Sequence, residues 1–393
     1  MLNSQDQPSE VVPARKILFV AGALQGGGAE NQLFQLANGL ARLGHDITVA
    51  TVLPQTVRGD FCQLVLCGSR TRNRFLNAMM LGYAVWRLRA CLLRLQPDTM
   101  ITWLAVPTLI GAAAVVGKST PWIAAIRNSQ PEKMRSVPAG LLNLPIRAAL
   151  TRANRVIANS AAGLAGYRRL GLLVHARTAV IANCINTIRF HPPSREQRSA
   201  ARERLGVRQD VPVVAYVGRD AVEKGIDLLV ESLATFAKQN PYAQIIVVGL
   251  TSDRLEAVAA SAGVRLPESL KVLERMQEIE QVYWATDVLL LTSRREGSPN
   301  VVHEARACGV AIVSTDCGDV RDTMLPRDRV VAADPSQLVV AILEVLAAGY
   351  QMQAAPQAMS PIDCATLWAH EIDSMLAGCQ TNFNEIANTL PKP

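Results

Sequence analysis

Residues 289–309, LLLTSRREGSPNVVHEARACG, read as a strand, a loop and a helix in that order. The apolar run Val288–Leu291 has the make-up of a buried strand, and its end at Thr292-Ser293 opens into a loop carrying Arg294, Arg295 and Glu296. Ser298 suits an N-cap, Pro299 the first helical position, and Gly309 sits where a helix should stop. A helix that starts at the carboxyl edge of a sheet presents free backbone N–H groups and a positive dipole end, which favour an anion. Glu296 lies in front of that helix and Glu304 more than a turn inside it, so both carboxylates can face one crevice. A ligand with phosphate in its middle and hydroxyl-bearing rings at both ends fits this layout. Glutamates at this spacing are common by chance and mostly solvated; the order strand, Glu-Gly, Pro, helix, Glu is far rarer.

Upstream, Val213–Val217 reads as the first strand of the same sheet, followed by Gly218-Arg219 and, after a short loop, Lys224-Gly225 at the mouth of a helix. Two cations at one strand end can grip a diphosphate, Arg in forked geometry. The competing reading makes them solvated loop cations paired with Asp220 or Glu223. Ile245–Gly249 and Leu270–Leu273 are further strands, the second followed by Arg275-Met276; Glu278–Ala285 is a helix and Ala311–Thr315 a later strand.

The first half has its own βαβ start: strand Lys16–Ala21, the cluster Gly26-Gly27-Gly28, helix Ala29–Leu43 and strand Ile47–Val52. The glycine spacing is not G-x-G-x-x-G, which argues against a dinucleotide site. Met100–Trp103 and Trp122–Ile126 read as strands around a helix over Leu109–Val116. Arg127 and Asn128 follow the second of these, at the edge where such sheets bind ligands. Phe75–Leu95 interleaves Met79, Met80, Trp86 and Leu92 with arginines clustered at both ends, from Arg70, Arg72 and Arg74 to Arg87, Arg89 and Arg94. That pattern suits either a helix lying on an anionic membrane surface or an ordinary core-facing helix.

At 393 residues, with 49% hydrophobic content, the chain should form two domains. Residues 1–195 hold 22 Lys+Arg against 7 Asp+Glu, a net of +15, while residues 196–393 net −8. The basic half suits anionic lipid or a phosphorylated substrate; with 5% aromatic content and no recognised motif, nucleic acid is not expected. The best apolar run, Leu104–Val116, is too short to span a bilayer, and residues 1–15 read as a polar, disordered tail without a signal peptide. Eight cysteines without a C-x-x-C pair fit reduced thiols in a cytoplasmic protein rather than a disulfide framework or zinc site.

The segment Glu296-Gly297-Ser298-Pro299-Asn300-Val301-Val302-His303-Glu304 resembles the E-x7-E motif of the family-4 retaining glycosyltransferases, whose GT-B fold sets two Rossmann-like α/β domains across one cleft. Val156–Ser160 and Val180–Asn186 are similar to the family's strand–N-S and "I-P-N-G-I-D" patterns, with Ala182 for Pro and Cys184 for Gly. The resemblance implies an acceptor domain at 16–190, a nucleotide-sugar domain at 191–365 entered through a linker at 190–195, and a C-terminal helix and tail at 366–393 that cross back to the first domain. It implies that Glu296 meets the donor sugar, that Glu304 holds the ribose, and that Gly27, Gly28, Gly218, Arg219 and Lys224 face the diphosphate. Gly297, Ser298, Pro299, Asn300 and Val301 would line the donor, with Arg275 and Met276 on the base. Many relatives carry a His on the first domain near the transferred sugar; here none stands at a matching strand end, and Arg127 and Asn128 are expected to contact the acceptor instead. Glu296, Arg219 and Lys224 are the expected catalytic residues, with no metal or cofactor.

The implied reaction moves a sugar from a nucleoside-diphosphate sugar, UDP-sugar favoured over GDP-sugar, to a saccharide or polyprenyl-linked acceptor in cell-surface polysaccharide or glycolipid synthesis. The expected location is the cytoplasmic side of a membrane. The alternatives are a GT-B sugar-nucleotide 2-epimerase, which would need no acceptor, and a non-catalytic nucleotide-binding partner in an assembly complex.

Overall fold

A computed structural model describes residues 13–23, 27–54, 59, 61–68, 74–131, 139–274, 276–349 and 358–378. Residues 1–12 of the expected tail, Gly26, Arg70, Arg72, Arg275 and residues 379–393 lie outside the described residues.

The first lobe runs β1 (Lys16–Ala21), α1 (Gly28–Arg42), β2 (Asp46–Thr51), β3 (Cys62–Val65), α2 (Arg74–Leu95), β4 (Thr99–Trp103), α3 (Ala105–Ala114), β5 (Trp122–Ile126), α4 (Ala139–Arg152), β6 (Arg155–Ala158), α5 (Ala161–Arg169) and β7 (Thr178–Val180). Its seven strands are parallel in the order β3-β2-β1-β4-β5-β6-β7. The second lobe runs α6 (Arg195–Arg204), β8 (Val213–Val217), a 3-10 turn (Val222–Lys224), α7 (Ile226–Gln239), β9 (Gln244–Val248), α8 (Ser252–Ala262), β10 (Leu270–Leu273), α9 (Glu280–Ala285), β11 (Val288–Leu291), α10 (Asn300–Ala307), β12 (Ala311–Thr315), β13 (Arg329–Val331) and α11 (Pro335–Ala347). Its six strands are parallel in the order β10-β9-β8-β11-β12-β13. These are two Rossmann-like sheets in the GT-B arrangement, and each reverses its strand order once, between β1 and β4 and between β8 and β11. Ligands of such sheets sit outside the carboxyl ends of the strands at that reversal.

The central strands read as unbroken apolar runs because helices cover both of their faces: β4, β5, β11 and β12 are buried at every position. Edge strands β3 and β13 are only half-buried.

The chain changes lobes at two adjacent points. Cys184 belongs to the core of the first lobe and Ile185 to that of the second, several residues before the expected linker at 190–195; Phe190 is already buried in the second core. On the return, Ala358 packs on the second core and Met359 on the first, and Ile185 N–H donates to the Met359 carbonyl (2.9 Å). The two crossings thus form one hydrogen-bonded hinge. Beyond it, α12 (Pro361–Leu376) packs on α1 so closely that a Cβ at Gly39 would lie 2.7 Å from the Pro361 carbonyl oxygen. Ion pairs Arg155–Glu371 (2.6 Å) and Arg15–Asp373 (2.8 Å) tie α12 to the first lobe. No helix among the described residues is long and apolar enough to cross a membrane.

Candidate active site

The second-lobe wall of the cleft is built from the loops after β8 and β11. Gly225 takes φ +62°, and a Cβ there would meet the Thr292 carbonyl oxygen at 2.2 Å, so only glycine lets the two loops touch. Thr292 Oγ1 donates to the Lys224 carbonyl (3.0 Å), and Arg294 N–H donates to that of Glu223 (2.7 Å). This packing brings Lys224 Nζ to 2.6 Å from Glu296 Oε1, which also accepts from Ser293 Oγ at 2.7 Å. Both charged side chains are about 15% exposed.

Arg219 is not drawn in with them. Its side chain is 72% exposed and pairs with Glu223 at 2.7 Å. It stays in the same corner: Arg219 and Glu296 both act electrostatically on the buried hydroxyl of Tyr216, which lies under Gly218 and has no hydrogen-bond partner among the described residues. Burial foremost, then Glu296, holds that phenol protonated.

Glu304 projects from α10 toward α9, where Tyr283 O–H donates to its Oε2 (2.8 Å). Burial raises the Glu304 pKa against the opposing effect of that hydrogen bond. Helix α10 starts one residue later than expected: Pro299 is the N-cap, with φ −75° and ψ 112°, and Asn300 is the first helical residue. Ser298 does not cap because its Oγ is 2.7 Å from His303 Nε2 and its carbonyl accepts from Asn183 Nδ2 (3.1 Å). Behind it, Asp319 Oδ2 lies 4.0 Å from His303 Nε2. Burial raises Asp319 to about 6 and lowers His303 to about 4. Val301 and Met276 are partly buried against the core of the second lobe.

The motif loop touches the first lobe directly. Ser160 Oγ donates to the Gly297 carbonyl (2.8 Å), Asn183 Nδ2 donates to Asn300 Oδ1 (2.7 Å), and Arg295 reaches Gln130 (2.7 Å). A Cβ on Gly28 would lie 2.8 Å from Asn300 Nδ2, and one on Gly297 would lie 3.0 Å from Asn128 Cα, so glycine permits contact on both sides. Gly27 is the N-cap of α1, and its N–H is taken by Glu30 (3.0 Å). Asn128 turns into its own lobe, where Tyr167 O–H donates to its Oδ1 (3.0 Å), while Arg127 is buried between Trp103 and Trp368. The loops thus gather Gly28, Asn128, Lys224, Glu296, Gly297, Ser298 and Asn300 at the cleft, with the Arg219 side chain at its rim. Tyr283, Ser293 and Tyr216 carried no spacing signal; Ser160 and Asn183 stood out only through the family pattern.

This fold, two Rossmann-like sheets facing one cleft, defines a GT-B protein. The first lobe matches the family described as Glycosyltransferase Family 4 over residues 26–189, and the second matches Glycosyl transferases group 1 over residues 211–348. The chain belongs to the family-4, group-1 glycosyltransferases. It is 31% identical over 229 residues to the D-inositol 3-phosphate glycosyltransferase of Geodermatophilus obscurus, a match covering 54% of this chain and 49% of that protein. The chain thus spans about half the length of this curated relative. The sucrose-phosphate synthase of Thermosynechococcus elongatus superposes with a TM-score of 0.73 at 19% identity, over 96% of this chain and 100% of that one. Anabaena HepE, solved with UDP and glucose, gives 0.70 at 20% identity, over 92% and 100%.

Proposed function

We propose that the chain transfers a sugar from a nucleoside-diphosphate sugar, UDP-sugar before GDP-sugar, to a saccharide or lipid-linked acceptor with retention at the anomeric carbon. The observation that carries this reading is the half-buried Lys224–Glu296 pair at 2.6 Å, standing in front of the α10 N-terminus. Cleaving the anomeric C–O bond leaves negative charge on the diphosphate and positive character on the ring. Lys224 and the free N–H groups at the start of α10 meet the first; Glu296 holds sugar hydroxyls beside the second. Glu304, whose Oε2 is held by Tyr283, offers Oε1 to the ribose hydroxyls. These charges call for no metal, and attack on the face that the diphosphate leaves accounts for retention. The HepE complexes with UDP and with UDP-glucose support the choice of donor. Lobe closure over the hinge would keep water from the donor.

The decisive experiment is Glu296→Gln. Transfer should fall about 100-fold or more with UDP affinity nearly unchanged; undiminished turnover would remove the assigned role. Release of an epimerised sugar nucleotide without acceptor would replace transfer by epimerisation.

The acceptor reading extends to the membrane. On α2, Met79, Tyr83, Trp86 and Leu93 are 58%, 46%, 62% and 65% exposed at heptad spacing, and the ring of Tyr83 stacks on that of Trp86. Arg87 and Arg94 flank this stripe, which suits a cytoplasmic leaflet rich in anionic lipid. Co-sedimentation with anionic vesicles should drop in Trp86→Ser; equal binding to zwitterionic vesicles would count against it.

A further inference from the structure

Arg127 leaves β5 at the carboxyl edge of the first sheet and is 9% exposed. Its guanidinium carbon lies 4.1 Å from the ring centroid of Trp103 and 5.3 Å from that of Trp368. Among the described residues no carboxylate pairs with it, and its buried Nε has no hydrogen-bond partner. The titratable groups that act on it are the thiols of Cys364 and Cys184, and burial lowers its pKa to about 10. Buried charges are ordinarily paired, because desolvation is expensive and aromatic faces repay only part of it. Arg127 is charged in spite of that cost.

The surroundings point to the cleft. Trp103 Nε1 donates to the Ala29 carbonyl (2.8 Å), which sets the stack beneath the glycine turn that meets Asn300. Leu104, directly after Trp103, has φ +77° and ψ 172°, a strained conformation for a leucine and one that clusters at ligand sites. Asn128, the next residue after Arg127, abuts Gly297, the neighbour of Glu296. A sugar held by Glu296 would therefore lie beside the Arg127 stack.

We propose that Arg127 is the counter-charge for a carboxylate or phosphate carried by a saccharide substrate, either on the transferred sugar or on the acceptor. This rests on the nucleotide-sugar reading and adds the substrate's charge to it. The rival role is a cation–π strut tying β4 and β5 to α12. The two roles part on ligand preference.

Calorimetry on the full chain compares UDP-glucuronate with UDP-glucose and, with UDP saturating, glucose 6-phosphate with glucose. The wild type should bind the anionic member of one pair at least about tenfold more tightly, the worth of a charge-assisted hydrogen bond. Arg127→Met should abolish that preference, and Arg127→Lys should keep part of it, because charge survives while the fork is lost. A preference in the first pair places the anion on the donor, and in the second on the acceptor. No preference in either pair, or one that persists in Arg127→Met, overturns the proposal. UDP binding by each variant reports an intact second lobe, so tight UDP binding without anion preference sinks this inference alone, whereas no UDP binding by the wild type sinks the nucleotide-sugar reading with it.

Discussion

The two walls of the cleft handle charge in opposite ways. In the second lobe the charged groups facing the cleft already have partners: Lys224 has Glu296, Arg219 has Glu223, and Glu304 has the Tyr283 hydroxyl. In the first lobe Arg127 has no carboxylate among the described residues, and the groups that lobe sends across the cleft are neutral: the Ser160 hydroxyl and the Asn183 and Gln130 amides. A pre-paired wall holds its geometry by itself, and under the proposed function it would exchange partners when a diphosphate binds. An unpaired cation bears a standing cost that a ligand relieves.

The largest test of this contrast is Lys224→Met, which strands the Glu296 carboxylate in a site where it is 14% exposed. Removing one partner of a half-buried pair should cost about 2 kcal/mol, between the surface and fully buried cases, so the urea midpoint should fall and donor binding with it. The double variant Lys224→Met/Glu296→Gln should regain most of that stability, since the stranded charge is gone. If the single variant costs under about 1 kcal/mol, the pair behaves as a solvated surface contact and the contrast between the walls fails.

A second test uses the cluster behind the motif loop. His303 is lowered to about 4 by burial, with Arg306 adding to the effect. Its contribution to stability is present above about pH 6.5 and is lost as pH falls toward 4. Asp319 is raised to about 6 by burial, opposed by a hydrogen bond from Ser298 and by Arg306 and aided by Asp322. The folded state keeps its proton, so its contribution is present below about pH 4 and is lost as pH rises through 6. The slopes cancel in the wild type. Relative to it, His303→Asn should lose stability between pH 4 and 6, by up to about 3 kcal/mol, and Asp319→Asn should gain it over the same window. Parallel stability–pH curves for all three proteins would break the assignment.

Tyr283→Phe is smaller in effect. It removes the donor to Glu304 Oε2 and should weaken UDP binding by about tenfold. Unchanged affinity would mean that Glu304 needs no holding.

These tests also mark what could be read from residues alone. The doubly covered strands were legible because burial on both faces leaves an unbroken apolar run, as in Val288–Leu291. Strands β3 and β13 were not: they are half-buried edges of three or four residues, and their short apolar stretches, Leu64–Cys67 and Val330–Ala333, overlap them only in part. The motif picked out Glu296 and its neighbours as one loop and helix start, but a 2.6 Å contact between residues 72 positions apart belongs to the fold. The expected cap at Ser298 failed because His303 and Asn183 claim its side chain and carbonyl, partners that local propensity cannot foresee. The state of Arg127 lay furthest out of reach: a missing counter-charge becomes visible only when every neighbour is in place.

Arg219→Ala should change least, and the reason sharpens the contrast. The guanidinium is 72% exposed, and its bond to Glu223 lies on the surface, where such pairs contribute well under 1 kcal/mol. Stability should stay within about 0.5 kcal/mol of the wild type. UDP affinity should fall by about three- to tenfold, because the side chain can leave Glu223 and fork onto the diphosphate, and the loss should shrink at high salt as exposed charges are screened. Lys224→Met, acting in a site screened far less, should lose more affinity and lose it at every salt concentration. Equal losses and equal salt slopes for the two variants by calorimetry would mean that both cations reach the ligand from the same depth, and that the rim position of Arg219 does not survive binding.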